Sequence, residues 1–148
     1  MEIIWRLSVE KIITGSNRGI GLETAQALLT RHGGRVVLAC RDVDAGRSTI
    51  SDLDESAGDK AALMRLDLAN FASIRTFSDE VLTSGRPVRC LINNTHLSGL
   101  KSCDLTGDLI ERTFQTNHLG HFLLTLMLLP ALRKSEVGRR VIHISNRT

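Results

Sequence analysis

No tyrosine occurs in these 148 residues. A phenol acting as acid or base is therefore excluded from them. Cysteine is scarce and odd in number. Cys40, Cys90 and Cys103 stand far apart and form no C-x-x-C pair, so neither a zinc site nor a disulfide framework is suggested. A reducing compartment fits such usage. Long hydrophobic runs are missing as well. The N-terminal Ile3-Ile4-Trp5 is followed at once by Arg6, too short for a signal h-region or a membrane span. With no signal peptide evident, the expected location is the cytoplasm or the cytosolic face of an organelle. The formal charge is +3 and the pI about 9.1, but the charges are scattered. Arg139-Arg140 is the nearest approach to a basic cluster, too short for a nucleic-acid stripe. No internal repeat or low-complexity segment appears.

What is there describes a globular chain. Apolar residues make up 42% and charged residues 24%, enough for one domain with a real core. Short apolar runs alternate with helical patterns, which points to βαβ units and a parallel sheet. Strands are expected near Val9–Thr14, Arg35–Cys40, Ala61–Leu66, Val88–Ile92 and Arg139–Ser145. Helices are expected over Gly19–His32, stopped by Gly33-Gly34, and from an Asp42 cap to roughly Ser56, broken by Gly58-Asp59. A third follows an Asn70 cap, Phe71 to Thr83, with Ile74, Phe77 and Val81 on one stripe. After a loop from Asn93 to Thr106, a long helix is expected over Gly107–Arg133, bent or ended by Pro130. The fold class is α/β: a doubly wound parallel sheet of five strands in the order 3-2-1-4-5 with flanking helices, one domain over residues 1–148. In such sheets ligands lie beyond the carboxyl ends of the strands, where the strand order reverses. That point falls between the first and fourth strands.

The stretch Thr14-Gly15-Ser16-Asn17-Arg18-Gly19-Ile20-Gly21 sits there, between a strand and a helix. This is a layout for a phosphate. Gly15 can take positive φ, and Gly19 and Gly21 let a pyrophosphate and the neighbouring strand come close. The first amides of the following helix attract negative charge. About twenty residues on, the second strand ends in Cys40-Arg41. An acid there would select NAD, whereas Arg41, with Arg18, suits the extra phosphate of NADP. NAD is thus the less favoured cofactor. Alternatively, Arg41 only pairs with Asp42 or Asp44 on the surface.

Asp67, after the third strand, could accept from an adenine amino group or cap the next helix. Asn93 and Asn94 could bridge neighbouring loops or touch a ribose. Asn117 lies in the apolar stripe of the long helix, with Ile110, Phe114, His121, Leu124 and Leu128. It could bond a main-chain carbonyl beside the site, or be merely tolerated. His118 and His121 could share a metal, but no third ligand is evident and no metal is expected.

Thr14-Gly15-x-x-x-Gly19-Ile20-Gly21, Asp67-Leu68, Leu91-Ile92-Asn93-Asn94 and Asn117-His118-Leu119-Gly120-His121-Phe122, taken together, resemble the short-chain dehydrogenase/reductase family. Ala39-Cys40-Arg41 and the Asn117 to Leu124 stretch look most like its retinol-dehydrogenase-type branch. The resemblance spans about residues 9 to 145. It implies hydride transfer between a nicotinamide and an alcohol or carbonyl, in a complete form a lipophilic one. Gly15, Ser16, Asn17, Arg18, Gly19, Ile20 and Gly21 would hold the pyrophosphate, Arg41 and Arg18 the 2′-phosphate, and Asp67 and Leu68 the adenine, with Asn94 at the same dinucleotide. Asn117 would support a proton relay. In the family a Tyr acts as acid/base, a Lys lowers its pKa, and a Ser orients the substrate oxygen.

The sequence departs from that pattern in three places. Asn-Asn-Ala-Gly reads Asn93-Asn94-Thr95-His96, with bulk where the family has small residues. The family's catalytic Ser aligns with Asn146, next to Ser145. The Tyr-x-x-x-Lys motif is absent. The resemblance thus implies a domain incomplete at its C-terminus and, for this chain, no catalysis. Its fifth strand would be an exposed edge. The long helix over 107–133 would be a face for a homo- or heterodimer. The alternative is a non-catalytic dinucleotide-binding or interaction protein that pairs with a full-length relative.

Overall fold

Strands β1 (Glu10–Thr14), β2 (Arg35–Cys40), β3 (Ala61–Arg65), β4 (Val88–Asn93) and β5 (Arg140–His143) pair in parallel in the order 3-2-1-4-5. The computed structural model describes residues 10–31, 34–51, 60–99, 104–136 and 138–145. Expectations on Ile3-Ile4-Trp5, Val9, His32, Gly33, Ser56, Gly58-Asp59, Cys103 and Asn146 lie outside those residues. The sequence periodicity located the strands to within a residue at the ends that can be compared, except that the fifth ends at His143, two residues before the expected Ser145. At the centre of the sheet Ile12 sits between Val37 and Leu91, and Ile13 between Leu38 and Ile92. β1 is buried along its whole length, as a strand covered on both faces must be.

The two faces hold two cores. On one, Ile12, Val37 and Leu91 pack with Ile74, Phe77 and Val81 of α3 (Phe71–Thr83) and with Leu124 and Leu128 of α5 (Gly120–Arg133). On the other, Ile13, Val36, Leu38 and Ile92 pack with Ala25 and Leu29 of α1 (Gly19–Arg31). Helix α2 (Val43–Ser51) leans on the outer strand β3. Burying each of these large side chains contributes about 1.5–3 kcal/mol. Helix α3 begins where expected, with Asn70 as its cap: the side-chain oxygen accepts from the amide of Ser73.

The long helix differs from expectation. It does not begin at Gly107. Residues 104–111 form a tight turn in which the Thr106 amide donates to the Ile110 carbonyl and the Arg112 amide to that of Asp104. Leu109 closes it at φ +60°. The helix opens at α4 (Arg112–Phe114), capped by the Glu111 carboxylate, which accepts from the amides of Thr113 (2.8 Å) and Phe114 (2.7 Å). Those bonds hold the Glu111 carboxyl below its ordinary pKa. One π turn, Gln115–Leu119, leads into α5. Ile110 is therefore not a helical residue. Pro130 does not end the helix, which continues to Arg133. The carbonyl it deprives of a donor belongs to Leu126, an exposed residue, where water can replace the lost bond.

Among the described residues β5 pairs with β4 alone, and its four residues are exposed, Val141 and Ile142 among them.

Candidate functional site

The glycine turn begins where β1 runs out. The Gly15 amide donates to the Ala39 carbonyl (2.8 Å), tying the turn to the end of β2. Gly15 has φ +64°, and an ideal Cβ on it would lie 2.7 Å from Thr95 Oγ1. Gly21 is tighter still. A Cβ there would fall 2.5 Å from the Gly15 carbonyl oxygen and 2.6 Å from Asn94 Nδ2, so only glycine lets α1 approach the turn this closely. Gly19 is the reverse case. It has φ +56° with nothing within 4 Å of the added carbon, so the turn is open on that side. Ser16 is buried, and its hydroxyl donates to the Ile13 carbonyl (3.0 Å). It also lies 3.8 Å from Cys40 Sγ. Burial pushes the Cys40 and Cys90 thiols above their ordinary pKa, so neither is a thiolate at neutral pH.

Asn17 is half-buried; Arg18 and Ile20 are exposed at the mouth of the turn. Arg41 is exposed just beyond β2. Among the described residues neither arginine has an ion pair, and Arg41 makes none with Asp42 or Asp44. Asp42 instead caps α2, accepting from the amides of Asp44 (3.1 Å) and Ala45 (3.0 Å). Two guanidinium groups thus remain available on the rim of an open glycine turn. They suit an anion bound there bidentately.

Asp67 does not cap α3, because Asn70 does. Its Oδ1 closes a local turn with the Ala69 amide (2.9 Å), and its own amide donates to Ser73 Oγ (3.0 Å). The Leu68 side chain is buried in the core with Ile74 and Leu124, so only its main chain could meet a ligand.

Asn94 bridges the two strand ends that meet at the reversal point. Its Nδ2 donates to the carbonyls of Thr14 (2.9 Å) and Gly15 (3.3 Å). Thr14 Oγ1 accepts from the amides of Asn94 (2.9 Å) and Thr95 (3.0 Å). Asn93 faces the other way, donating from Nδ2 to Thr125 Oγ1 (3.1 Å) and lying 3.3 Å from His143 Nδ1. Asn117, on the π turn, holds the next stretch of that loop by both its amide atoms. Its Oδ1 accepts from the Leu97 amide and its Nδ2 donates to the Leu97 carbonyl, both at 2.8 Å. The main-chain partner expected of Asn117 is therefore Leu97.

His118 and His121 do not share a site. His118 is exposed and stacks between Phe114 and Phe122. His121 is buried, with Nε2 2.9 Å from Thr14 Oγ1 and Nδ1 3.2 Å from the Asn117 carbonyl oxygen. Burial pushes its pKa down to about 4, so it is neutral at pH 7. Among the described residues no cluster of three or more metal-ligating side chains occurs.

Ser145 is exposed beyond β5. The bond from the Ile144 amide to the Asn93 carbonyl (3.0 Å) carries it to the end of β4. The structure thus ties Asn94 and Thr95 to the glycine turn at the ends of β1 and β4, with Asn117 bonded to Leu97 of the same loop and β5 ending beside β4. Arg41 and Asp67 stand at the ends of β2 and of β3. Sequence reasoning named Thr14 only as the first residue of the glycine stretch and His121 only as part of the apolar stripe with no third metal ligand in sight, and did not foresee the contact between them. Their signal was the placing of one hydroxyl at the last residue of a buried strand and one imidazole a turn after Asn117.

Residues 11–148 match the family model for short chain dehydrogenase. The chain is 43% identical over 138 residues to retinol dehydrogenase 12 of Mus musculus, covering 91% of this chain and 42% of that protein. It is 41% identical over 132 residues to the WW domain-containing oxidoreductase of Gallus gallus, covering 88% of this chain and 31% of that one. A metagenomic short-chain oxidoreductase, solved in complex with NADP, superposes with a TM-score of 0.79 at 26% identity, over 96% of this chain and 64% of its own. The chain spans less than half the length of these two curated relatives.

Proposed function

This chain belongs to the short chain dehydrogenase family, and on that footing we propose that its 148 residues form one dinucleotide-binding domain that takes NADP in preference to NAD. The observation that carries this reading is the glycine turn open at Gly19, with Arg18 exposed in it and Arg41 exposed just after the strand end to which the turn is tied, neither ion-paired among the described residues. The amides from Ser16 to Gly21 and the start of α1 would hold the pyrophosphate. Arg18 and Arg41 would hold the 2′-phosphate, and Asp67 with the Leu68 main chain would meet the adenine. Asn94 would keep the turn at the distance it now has. The NADP named for the metagenomic neighbour and the identity to retinol dehydrogenase 12 support the assignment.

A bound NADP would supply hydride exchange with an alcohol or carbonyl, a lipophilic one if the likeness to retinol dehydrogenases extends to substrate. Asn117, fixed to Leu97, would support the proton relay; Asn146 aligns with the family's catalytic Ser, and Ser145 would take that role only with the register shifted by one. These residues offer no tyrosine as the acid/base. The 148-residue chain is therefore expected to bind the cofactor without turning it over. We place it in the cytoplasm or on the cytosolic face of an organelle. No helix among the described residues is long and apolar enough to cross a membrane.

A second reading, a non-catalytic partner of a full-length relative, is favoured by one feature. The 107–133 segment exposes Leu109, Phe114, Phe122 and Leu126, a stripe suited to a dimer contact. A thermal-shift series with NADP and NAD, run beside an NADPH-oxidation assay on aldehydes and ketones, tests both readings. A larger shift with NADP and no oxidation is expected. Measurable oxidation would overturn the inactivity. No shift with either dinucleotide would leave only the interaction role.

A further inference from the structure

Thr14 Oγ1 stands at the junction of three elements. It has one hydrogen to give and two lone pairs. The amides of Asn94 and Thr95 both point at the oxygen, which uses the lone pairs. The hydroxyl hydrogen therefore needs an acceptor, and His121 Nε2 is 2.9 Å away. Whether Nε2 can accept is decided at the opposite end of the ring. The Asn117 carbonyl can only accept, so Nδ1, 3.2 Å from it, carries the ring hydrogen, and Nε2 is left with a free lone pair. Every donor in this set then meets an acceptor, and no other tautomer achieves that.

We propose that His121 is a positioning residue of the dinucleotide site. Its neutral ring, fixed as the Nδ1–H tautomer by Asn117, takes the Thr14 hydroxyl hydrogen and leaves that oxygen to hold the Asn94 and Thr95 amides against the glycine turn. The inference rests on the dinucleotide reading of that turn only for its consequence on binding. The same π turn presents Asn117 to Leu97 and its carbonyl to His121, so helix and loop are set together.

Protonating Nε2 would place a donor against an oxygen whose lone pairs are already taken. The titratable groups that act on the ring are His118 on the same helical segment and His143 on β5, and both oppose a further positive charge there. From β1 the ring meets the hydroxyl of Thr14, which does not titrate. α3 packs against α5 with the apolar Ile74, Phe77 and Val81. Nothing that faces the ring favours the cation strongly enough to offset burial.

The test uses the full 148-residue chain and two variants. His121→Gln keeps an acceptor oxygen in reach of Thr14 and removes titration; His121→Leu removes the acceptor. Nitrogen-15 spectra of the imidazole at pH 7 should show a neutral ring protonated on Nδ1. Amide exchange at Asn94 and Thr95 should quicken about tenfold or more in the Leu variant and be largely restored in the Gln variant. NADP affinity should fall about tenfold in the Leu variant and recover with Gln. Lowering the pH from 7 to 4 should expose the two amides in the wild type more than in the Gln variant. An Nε2–H tautomer at pH 7 would overturn the proposal. So would a cooperatively melting Leu variant with wild-type protection at both amides. If the Leu variant does not fold, wild-type and Gln chains that lose amide protection along one pH profile overturn it instead. Failure of the wild type to bind NADP removes the consequence for binding and the cofactor reading, while the tautomer and exchange data still decide the latch.

Discussion

The hydroxyl of Thr14 and the imidazole Nε2 of His121 meet at 2.9 Å, although 107 positions separate them in the chain. This contact joins the last residue of the central strand to the second residue of α5. Through it the glycine turn, the loop after β4 and the π turn share one arrangement.

A pH dependence of stability follows from that burial. In the unfolded chain the imidazole takes up its proton below pH 6.5, whereas in the fold it stays neutral down to about 4. The unfolded state therefore binds more protons in that window. The His121 contribution is complete above pH 6.5 and is lost as the pH falls from 6.5 to 4, by about 3 kcal/mol. Denaturant melts between pH 7.5 and 4 should show this fall, and His121→Gln should flatten it. An equal slope in both proteins would count against a buried neutral ring.

Gly21→Ala is expected to damage the turn. The new methyl would meet the Gly15 carbonyl oxygen at 2.5 Å and Asn94 Nδ2 at 2.6 Å, and backbone on one side cannot give way cheaply. A loss of about 1–3 kcal/mol is expected, with NADP affinity reduced as α1 moves outward. Thermal melts and dinucleotide titrations check both effects.

Arg41→Ala should lower NADP affinity by about tenfold to a hundredfold, the worth of a charge-assisted pair. NAD, lacking the 2′-phosphate, should change little. Arg18→Ala should act in the same direction. Raising the ionic strength should narrow the preference for NADP. Parallel loss of both cofactors in Arg41→Ala would place the guanidinium elsewhere than on the 2′-phosphate.

Glu10 gives a test of the fold alone. Its carboxylate is buried at the start of β1, 3.2 Å from Arg86 and 3.5 Å from Arg35. Arg35 Nε is buried with no hydrogen-bond partner among the described residues. Glu10→Gln would leave two guanidinium groups without their countercharge. Both arginines are partly exposed, so the cost is expected at about 1–3 kcal/mol, below that of a fully buried pair. The melting temperature should fall with no change in NADP over NAD preference.

The sheet was legible because its signal is local. Ile12-Ile13, Val36 to Cys40 and Leu91-Ile92 are apolar runs between turn residues, and a doubly wound order follows from alternation with helices. Asn70 was legible for the same reason, since a cap and its amide lie three residues apart. The start of the long helix was not. Residues 104–111 satisfy their main chain in a tight turn, whereas helical periodicity weighs only side chains. Of the two expectations at Pro130, the ending fails, because its cost falls on a carbonyl at the surface and the helix runs on to Arg133. At the candidate site, the glycine turn between β1 and α1 and the place of Arg41 just after β2 could be read from spacing. The Thr14–His121 contact could not, because it depends on how the π turn rotates one face of the helix towards β1.

The most direct measurement is a calorimetric titration of the 148-residue chain with NADP and, separately, NAD. Saturable one-to-one binding is expected, tighter for NADP, with the difference removed by Arg41→Ala. No heat with either dinucleotide from a chain that melts cooperatively, or equal affinity for the two, would contradict an NADP site at the glycine turn.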